Sequence, residues 1–379
     1  MGECGIDPER QRKAREYARI RRRLLLAELA LGAAFVLVLL FSGLSSWLRG
    51  QLLALASWRE AAIALYFLAF SGAYGLLSAP LSYYGGYVLP HRYGLSTQGL
   101  RGWLADRAKG AALSLGLGLA GVEVVYWLLA ALPSTWWLLA GAFYLLVSVV
   151  LSNLTPVLIA PLFFKFTPLE DEELAERLTK LAERAGKRVR GVFTFDLSAK
   201  TTAANAALMG LGNTRRIVLG DTLLRDYTPD EIETVLAHEL GHHVHGDIWR
   251  GILVQSALTL GGLWLADRIL RWGVRLFGFA GLADVAAFPL LVAALGGFGV
   301  VTMPLANAYS RWRESLADRY ALEATGKPRA FISAMAKLAN QNLAEAEPEP
   351  WVELLLYSHP PIGKRIKRAE EWEAKISTL

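Results

Sequence analysis

Cysteine is nearly absent from this chain, and charge is absent from long parts of it. Cys4 is the single cysteine in 379 residues, which excludes a disulfide scaffold. Charged residues make up 20% and hydrophobic residues 54%, against about 25% and 45–50% in soluble domains. The shortage is uneven. Residues 29–48 and 61–90 carry no charge, 111–164 carry only Glu123, and 276–310 carry only Asp284. Uncharged apolar runs of about 18 residues or more read as membrane spans. An ordinary soluble enzyme, a disordered chain and a collagen-like chain are thereby excluded.

The charge that remains is basic, with a formal net of +6. Membrane topology accounts for it better than nucleic acid, because no recognition motif accompanies it. Arg10, Arg12, Lys13, Arg15, Arg19, Arg21, Arg22 and Arg23 all precede the first apolar run. Positive charge beside a span stays in the cytoplasm as a rule. The uncharged part of that run, Leu29 to Leu48, is longer than the apolar region of a cleaved signal, and it reads as a retained span. Six spans fit the pattern, at about 24–48, 61–86, 110–132, 135–163, 250–270 and 283–308. The basic loop 89–109 is also expected in the cytoplasm. Both termini and the polar block after the fourth span then lie there too, in an integral, multi-pass protein. Arg268, Arg271 and Arg275 fall on the opposite side and run against this bias.

The expected fold is mostly α. It is a polytopic membrane helix bundle with a small catalytic lobe that carries a little β-sheet. Four regions follow: membrane helices in 1–164, a polar lobe in 165–249, a membrane helical pair in 250–308, and a helical remainder of the lobe in 309–379. Within the lobe, Thr167-Pro168-Leu169-Glu170-Asp171 reads as a helix start, followed by an amphipathic helix over about 170–186. Val189–Phe195 and Arg216–Leu219 read as short strands, and Gly210-Leu211-Gly212-Asn213 as a turn. The last region is broken at Gly326-Lys327-Pro328, at Glu345–Pro350 and at His359-Pro360-Pro361. Glu123, alone in its apolar region, is expected to face a wet interior.

One motif carries chemistry. Leu236-Ala237-His238-Glu239-Leu240-Gly241-His242 contains H-E-x-x-H. On a helix, residues four apart share a face, so His238 and His242 can aim two imidazoles at one metal. Glu239 lies beside them, within reach of a metal-bound water as general base. Thr228-Pro229-Asp230-Glu231 announces the helix as a capping box with proline at its first position. A catalytic zinc wants three protein ligands and an open position. His243, His245, Asp247 and an acid from the last block are candidates for the third. His243 points about 100° away from His242 on a regular helix. His245 lies about one turn on and is a weaker alternative. Glu314 and Asp318 share one helix face just after the last span, so one carboxylate can bind metal while the other orients a ligand imidazole. Taken alone, that segment also reads as a solvated helix face.

These motifs together resemble the Ste24 family of integral-membrane zinc metalloproteases, the CAAX prenyl protease type within the M48 group. Pro161-Leu162-Phe163-Phe164-Lys165-Phe166-Thr167-Pro168-Leu169 is similar to the family's stretch after a membrane span. His238-Glu239-Leu240-Gly241-His242 is similar to its zinc motif, and Glu314-Ser315-Leu316-Ala317-Asp318 to its third-ligand helix. Ser358-His359-Pro360-Pro361 with Arg365-Ile366 is similar to its C-terminal signature. The resemblance implies one zinc ion per chain, held by His238, His242 and Glu314, with Asp318 behind them and Glu239 as general base. It implies that His359 and Arg365 stabilise the tetrahedral intermediate. Asn205, in Ala203-Ala204-Asn205-Ala206-Ala207, would bind substrate on an edge strand beside the zinc. The fold implied is a zincin-like lobe beneath helices that surround a chamber; the family has seven spans, one more than counted here. The expected partners are the lipid bilayer and a peptide or protein substrate, prenylated C-terminal peptides among them, with no nucleic acid. Broad cleavage of membrane or misfolded proteins is the alternative. A non-catalytic scaffold that keeps a zinc site is a further one, against which the intact Glu239 argues.

Overall fold

A computed structural model describes residues 5–56, 58–210 and 215–377. The membrane half begins with α1 (Pro8–Phe41), capped by the Asp7 side chain on the Glu9 amide. The first expected span, 24–48, is thus displaced towards the N-terminus and stops early. The break comes at Gly43, whose φ of 76° suits glycine and few other residues. A separate helix, α2 (Leu44–Leu55), follows. Next is α3 (Arg59–Tyr83), which runs through a π turn at Tyr84–Val88 into α4 (Leu89–Arg92). α5 (Leu100–Ala131) and α6 (Trp136–Leu154) form the next pair. The polar lobe then contributes strands β1 (Phe166–Pro168), β2 (Val192–Phe195), β3 (Ala206–Met209) and β4 (Arg216–Gly220). Its helices are α7 (Glu172–Arg184), α8 (Asp221–Asp226) and α9 (Pro229–Val244). The chain re-enters the membrane part through α10 (Asp247–Phe277) and returns through α11 (Phe288–Thr325). It ends with α12 (Pro328–Gln341), α13 (Pro350–Leu356) and α14 (Ile362–Ser377).

Among the described residues five helical stretches, not six, are long and apolar enough to cross a membrane: Pro8–Phe41, Arg59–Arg92, Leu100–Ala131, Trp136–Leu162 and Val285–Thr325. The expected span at 250–270 does form a helix, α10, but Gln255, Thr259 and the Asp267, Arg268 and Arg271 group dilute its apolar character. That group also explains the arginines that ran against the charge bias. Asp267 is fully buried; it accepts from Trp136 Nε1 at 2.8 Å and from Arg271 Nε at 2.9 Å, with Arg268 3.3 Å away. Arg268 and Arg271, two of the three, are therefore tied to a buried carboxylate. Glu123 is half-buried.

The sheet has the order β1-β2-β4-β3, with β2 and β4 parallel and both outer pairs antiparallel. β2 and β4 match the expected strands. The expected helix start at 167–171 is corrected: Thr167 and Pro168 lie in β1, and the helix is capped later, by Asp171 on the Leu174 amide. β1 and β3 are too short to show alternation in sequence. The turn read at 210–213 falls largely outside the described residues. α7, α9, α12 and α14 pack with the sheet around one core that includes Leu178, Ile217, Leu219, Leu223, Leu236 and Phe331. The two polar blocks thus share a single lobe core. A second core, around Tyr66, Tyr126, Trp136 and Phe288, joins the membrane helices.

The crossing of α9 and α11 ties the lobe to the membrane bundle. A Cβ on Gly241 would lie 3.0 Å from the Ala317 Cα and 3.2 Å from its carbonyl oxygen. Both obstacles are backbone and cannot swing aside. Gly241→Ala should therefore lower stability by about 1–3 kcal/mol, the usual cost of overpacking. Thermal unfolding in detergent measures this, and an unchanged midpoint would contradict the crossing.

Candidate metal centre

α9 begins as its sequence dictates. Glu231 Oε2 accepts the Thr228 amide at 2.7 Å, and Thr228 Oγ1 accepts the Glu231 amide at 3.3 Å, which closes a capping box. Ile232, Leu236 and Leu240, four residues apart, are buried in the lobe core. That fixes the rotation of the helix and leaves His238 and His242 on another face. Ala317 of α11 sits against Gly241, so Glu314 and Asp318, on the turns around Ala317, are delivered to the two imidazoles.

His238 Nε2 and His242 Nε2 are 3.3 Å apart. Glu314 Oε2 is 3.3 Å from the first and Glu314 Oε1 is 3.4 Å from the second. One ligand atom from each of the three residues fits within a 4.8 Å span. The opposite ring nitrogens are already engaged: His238 Nδ1 lies 2.9 Å from Asp318 Oδ1, and His242 Nδ1 lies 2.8 Å from Asp247 Oδ2. A carboxylate on Nδ1 fixes that nitrogen as the donor and turns the Nε2 lone pair to the centre. Glu314 Oε2 is buried without a hydrogen-bond donor. Two lone pairs and a carboxylate facing one another, one oxygen unsatisfied, is the demand that a divalent cation meets. The residues therefore fit a metal.

The charges agree with this. Burial opposes protonation of His238, but Asp318 and Glu314 outweigh it and raise its pKa to about 9. Burial pushes the Glu314 carboxyl up, and the two imidazoles pull it far below the usual range. Asp318 is pushed up by burial, yet Arg365 and His238 hold it down at about 2. Glu239 moves the other way. Burial raises it, the two histidines only partly offset this, and Glu314 adds repulsion.

His359 joins the centre from the loop between α13 and α14, its Nε2 3.3 Å from Glu314 Oε1. Arg365 is brought in behind His238. Its Nε and Nη2 donate to Asp318 at 2.9 and 2.5 Å, and its Nη2 lies 3.3 Å from His238 Nδ1. Asn205 is exposed and stands one residue before β3, its carbonyl accepting the Gly220 amide at 2.9 Å. The other third-ligand candidates go elsewhere. His243 Nε2 meets the Leu208 carbonyl at 3.1 Å, and His245 packs edge-on against Tyr320. Asp247 orients His242 and is itself held by the buried Arg313, whose Nε donates at 2.7 Å. Sequence reasoning did not assign that pair; the signal was an arginine directly before Glu314 on a helix otherwise set for the core.

Residues 168–373 match peptidase family M48. The chain belongs to that family. Residues 3–165 match the M48 N-terminal region described as CAAX prenyl protease N-terminal, five membrane helices. The uncharacterized metalloprotease YhfN of Bacillus subtilis is 32% identical over 97% of this chain and 87% of its own length. CAAX prenyl protease 1 of Saccharomyces cerevisiae is 30% identical over 77% of this chain and 68% of its own. The crystal structure of S. mikatae Ste24p superposes with a TM-score of 0.85 at 26% identity, covering 96% of this chain and 90% of that one. The protein is thus an M48 membrane metalloprotease of the Ste24 and CAAX prenyl protease type, and its fold is that of Ste24p. It acts on peptide bonds, at a bilayer.

Two predictions follow from the M48 centre. Asp318→Asn removes the charge behind His238 and should weaken metal binding about 10–100-fold; competition with a chromophoric chelator measures it, and equal affinity would refute the role. In the metal-free protein His238 keeps its proton up to about pH 9, and a metal must displace that proton. Affinity should therefore rise with pH across the neutral range and fall in acid. A flat pH profile would contradict this assignment.

Proposed function

We propose that the chain is a zinc endopeptidase that cuts membrane-associated proteins near their C-terminus, with the lobe and both termini in the cytoplasm, a topology in which α10 crosses beside α11 as a sixth, less apolar span. His238, His242 and Glu314 would hold one zinc ion. The observation that carries this reading is the pair of Nε2 atoms facing the Glu314 carboxylate, each imidazole anchored from behind by its own acid. Two imidazoles with one carboxylate is a donor set that suits catalytic zinc. When bound, zinc lowers the pKa of water and polarises a carbonyl.

The chain's own residues supply the rest. The substrate adds to the free edge of β3 as a further strand. Along β3 the backbone groups alternate in direction. The Asn205 carbonyl faces β4, so that of Ala206 faces outward, the next outward one, of Leu208, being met by His243, and Asn205 offers its exposed side chain at the start of that edge. Glu239, held above the ordinary carboxylate range, accepts a proton from the attacking water and passes it to the leaving amine. His359 and Arg365 donate to the carbonyl oxygen as negative charge develops. A donor of this kind contributes about 3–4 kcal/mol. Asp318 fixes the Arg365 guanidinium for this.

The substrate class we propose is prenylated C-terminal peptides. An apolar cavity of about 770 Å³ supports it, lined by Tyr126, Phe143, Phe288, Phe298, Thr302 and Met303 among others. Thr302 and Glu314 lie on the same helix, about 18 Å apart at 1.5 Å per residue, which is within reach of an extended peptide. Glu239→Gln should retain the metal and lower cleavage of a fluorogenic peptide by at least about 100-fold. Equal turnover by variant and wild type would overturn the enzyme reading.

A further inference from the structure

A second cavity, polar where the first is apolar, lies where the basic part of α1 meets the lobe that carries the metal centre. It holds about 390 Å³ and is lined by Arg21, Arg22, Arg107, Glu28, Ser82 and the apolar Leu24, Leu25 and Leu81. It forms where α1 leaves its basic half, where α3 passes into its π turn, and where α5 begins. Gly85 and Gly86 of the π turn add no side chain to it.

The charge balance of this cavity is unusual. Three guanidinium groups face one carboxylate. Among the described residues, neither Arg21 nor Arg107 has a carboxylate at ion-pairing distance. Arg107 instead lies over the Trp103 ring, 5.6 Å from its centroid. Arg22 is held in place by the catalytic lobe, its Nη1 3.1 Å from Glu345 Oε2, and that carboxylate is 7% exposed. The cavity thus combines a fixed arginine, two unpaired ones, a hydroxyl and an apolar rim, at the point where the basic run of α1 gives way to its uncharged apolar run. Basic pockets between membrane helices take anionic headgroups. Arg21, Glu28 and Arg107 are exposed at the open mouth of the cleft, and its apolar rim sets it apart from a loose surface charge run.

We propose that this cavity binds the phosphate of an anionic phospholipid headgroup, with Arg21, Arg107 and Ser82 on the phosphate and Leu24, Leu25 and Leu81 along the glycerol and upper acyl chain. The site is distinct from the metal centre and does not depend on the reaction proposed there.

The test uses the full chain, purified in detergent and delipidated, with phosphatidylglycerol and phosphatidylcholine as probes. Native mass spectrometry reads the lipid retained, and metal content checks the fold. Wild type should retain phosphatidylglycerol about tenfold more strongly than phosphatidylcholine. The Arg21→Gln/Arg107→Gln double variant should lose that preference with its metal content unchanged. Arg268→Gln/Arg275→Gln, which removes the same charge at the other end of the bundle, should keep it. Loss of preference in both double variants would mean diffuse attraction and overturn the site. So would a wild type indifferent to headgroup charge. Displacement of the lipid by millimolar inorganic phosphate would assign the cavity to free phosphate and overturn the lipid assignment.

Discussion

The close crossing of α9 and α11 governs the rest of the structure. Neither helix makes a metal centre alone. α9 supplies two imidazoles one turn apart, and α11 supplies the carboxylate from 72 positions further on. Only a residue without a side chain at position 241 lets the two backbones approach until Glu314 meets His238 and His242. The same approach places Asp318 behind His238, and the start of α10 places Asp247 behind His242. The H-E-x-x-H motif therefore encodes a packing surface as well as ligands: the glycine before its second histidine is part of the site.

Each member of the centre is held by a partner of opposite charge. Arg365 steadies Asp318, and Arg313 steadies Asp247. The arginines are buried with their acids, so removal of either partner leaves a charge with little access to water. This framework keeps the two imidazoles oriented whatever lies between them. Glu239, beside them, has no such cation of its own and is pushed upward by burial. The environments of Glu314 and Glu239 thus move two chemically identical carboxyl groups in opposite directions, as the proposed roles of ligand and base require.

Much of this was legible in the sequence, for reasons that differ by element. His238, Glu239, His242 and the cap at Thr228 are local, and helical periodicity alone positions them. Glu314 and Asp318 were legible as a same-face pair, but which one meets the metal depends on the crossing, and spacing could not decide it. Asp247 looked like a possible ligand because only its chain distance from His242 was visible; the fold turns it into an orienting acid. The strands β1 and β3 are too short for alternation to register. The break at Gly43 sits inside an uninterrupted uncharged run, so hydropathy carried the first span too far. α10 was counted as a span because its middle is apolar, while the Asp267 group that qualifies it lies at one end.

The membrane half and the lobe meet through single continuous helices, α10 and α11, so the chemistry is fixed relative to the bilayer. The account's central claim is that His238, His242 and Glu314 bind one ion together. X-ray diffraction at the zinc absorption edge, on crystals of the zinc-loaded protein, tests it most directly. The account predicts one anomalous peak per chain, about 2.0–2.2 Å from both Nε2 atoms and from a Glu314 oxygen. A peak elsewhere, or one with the Glu314 carboxylate turned away from it, would contradict the account.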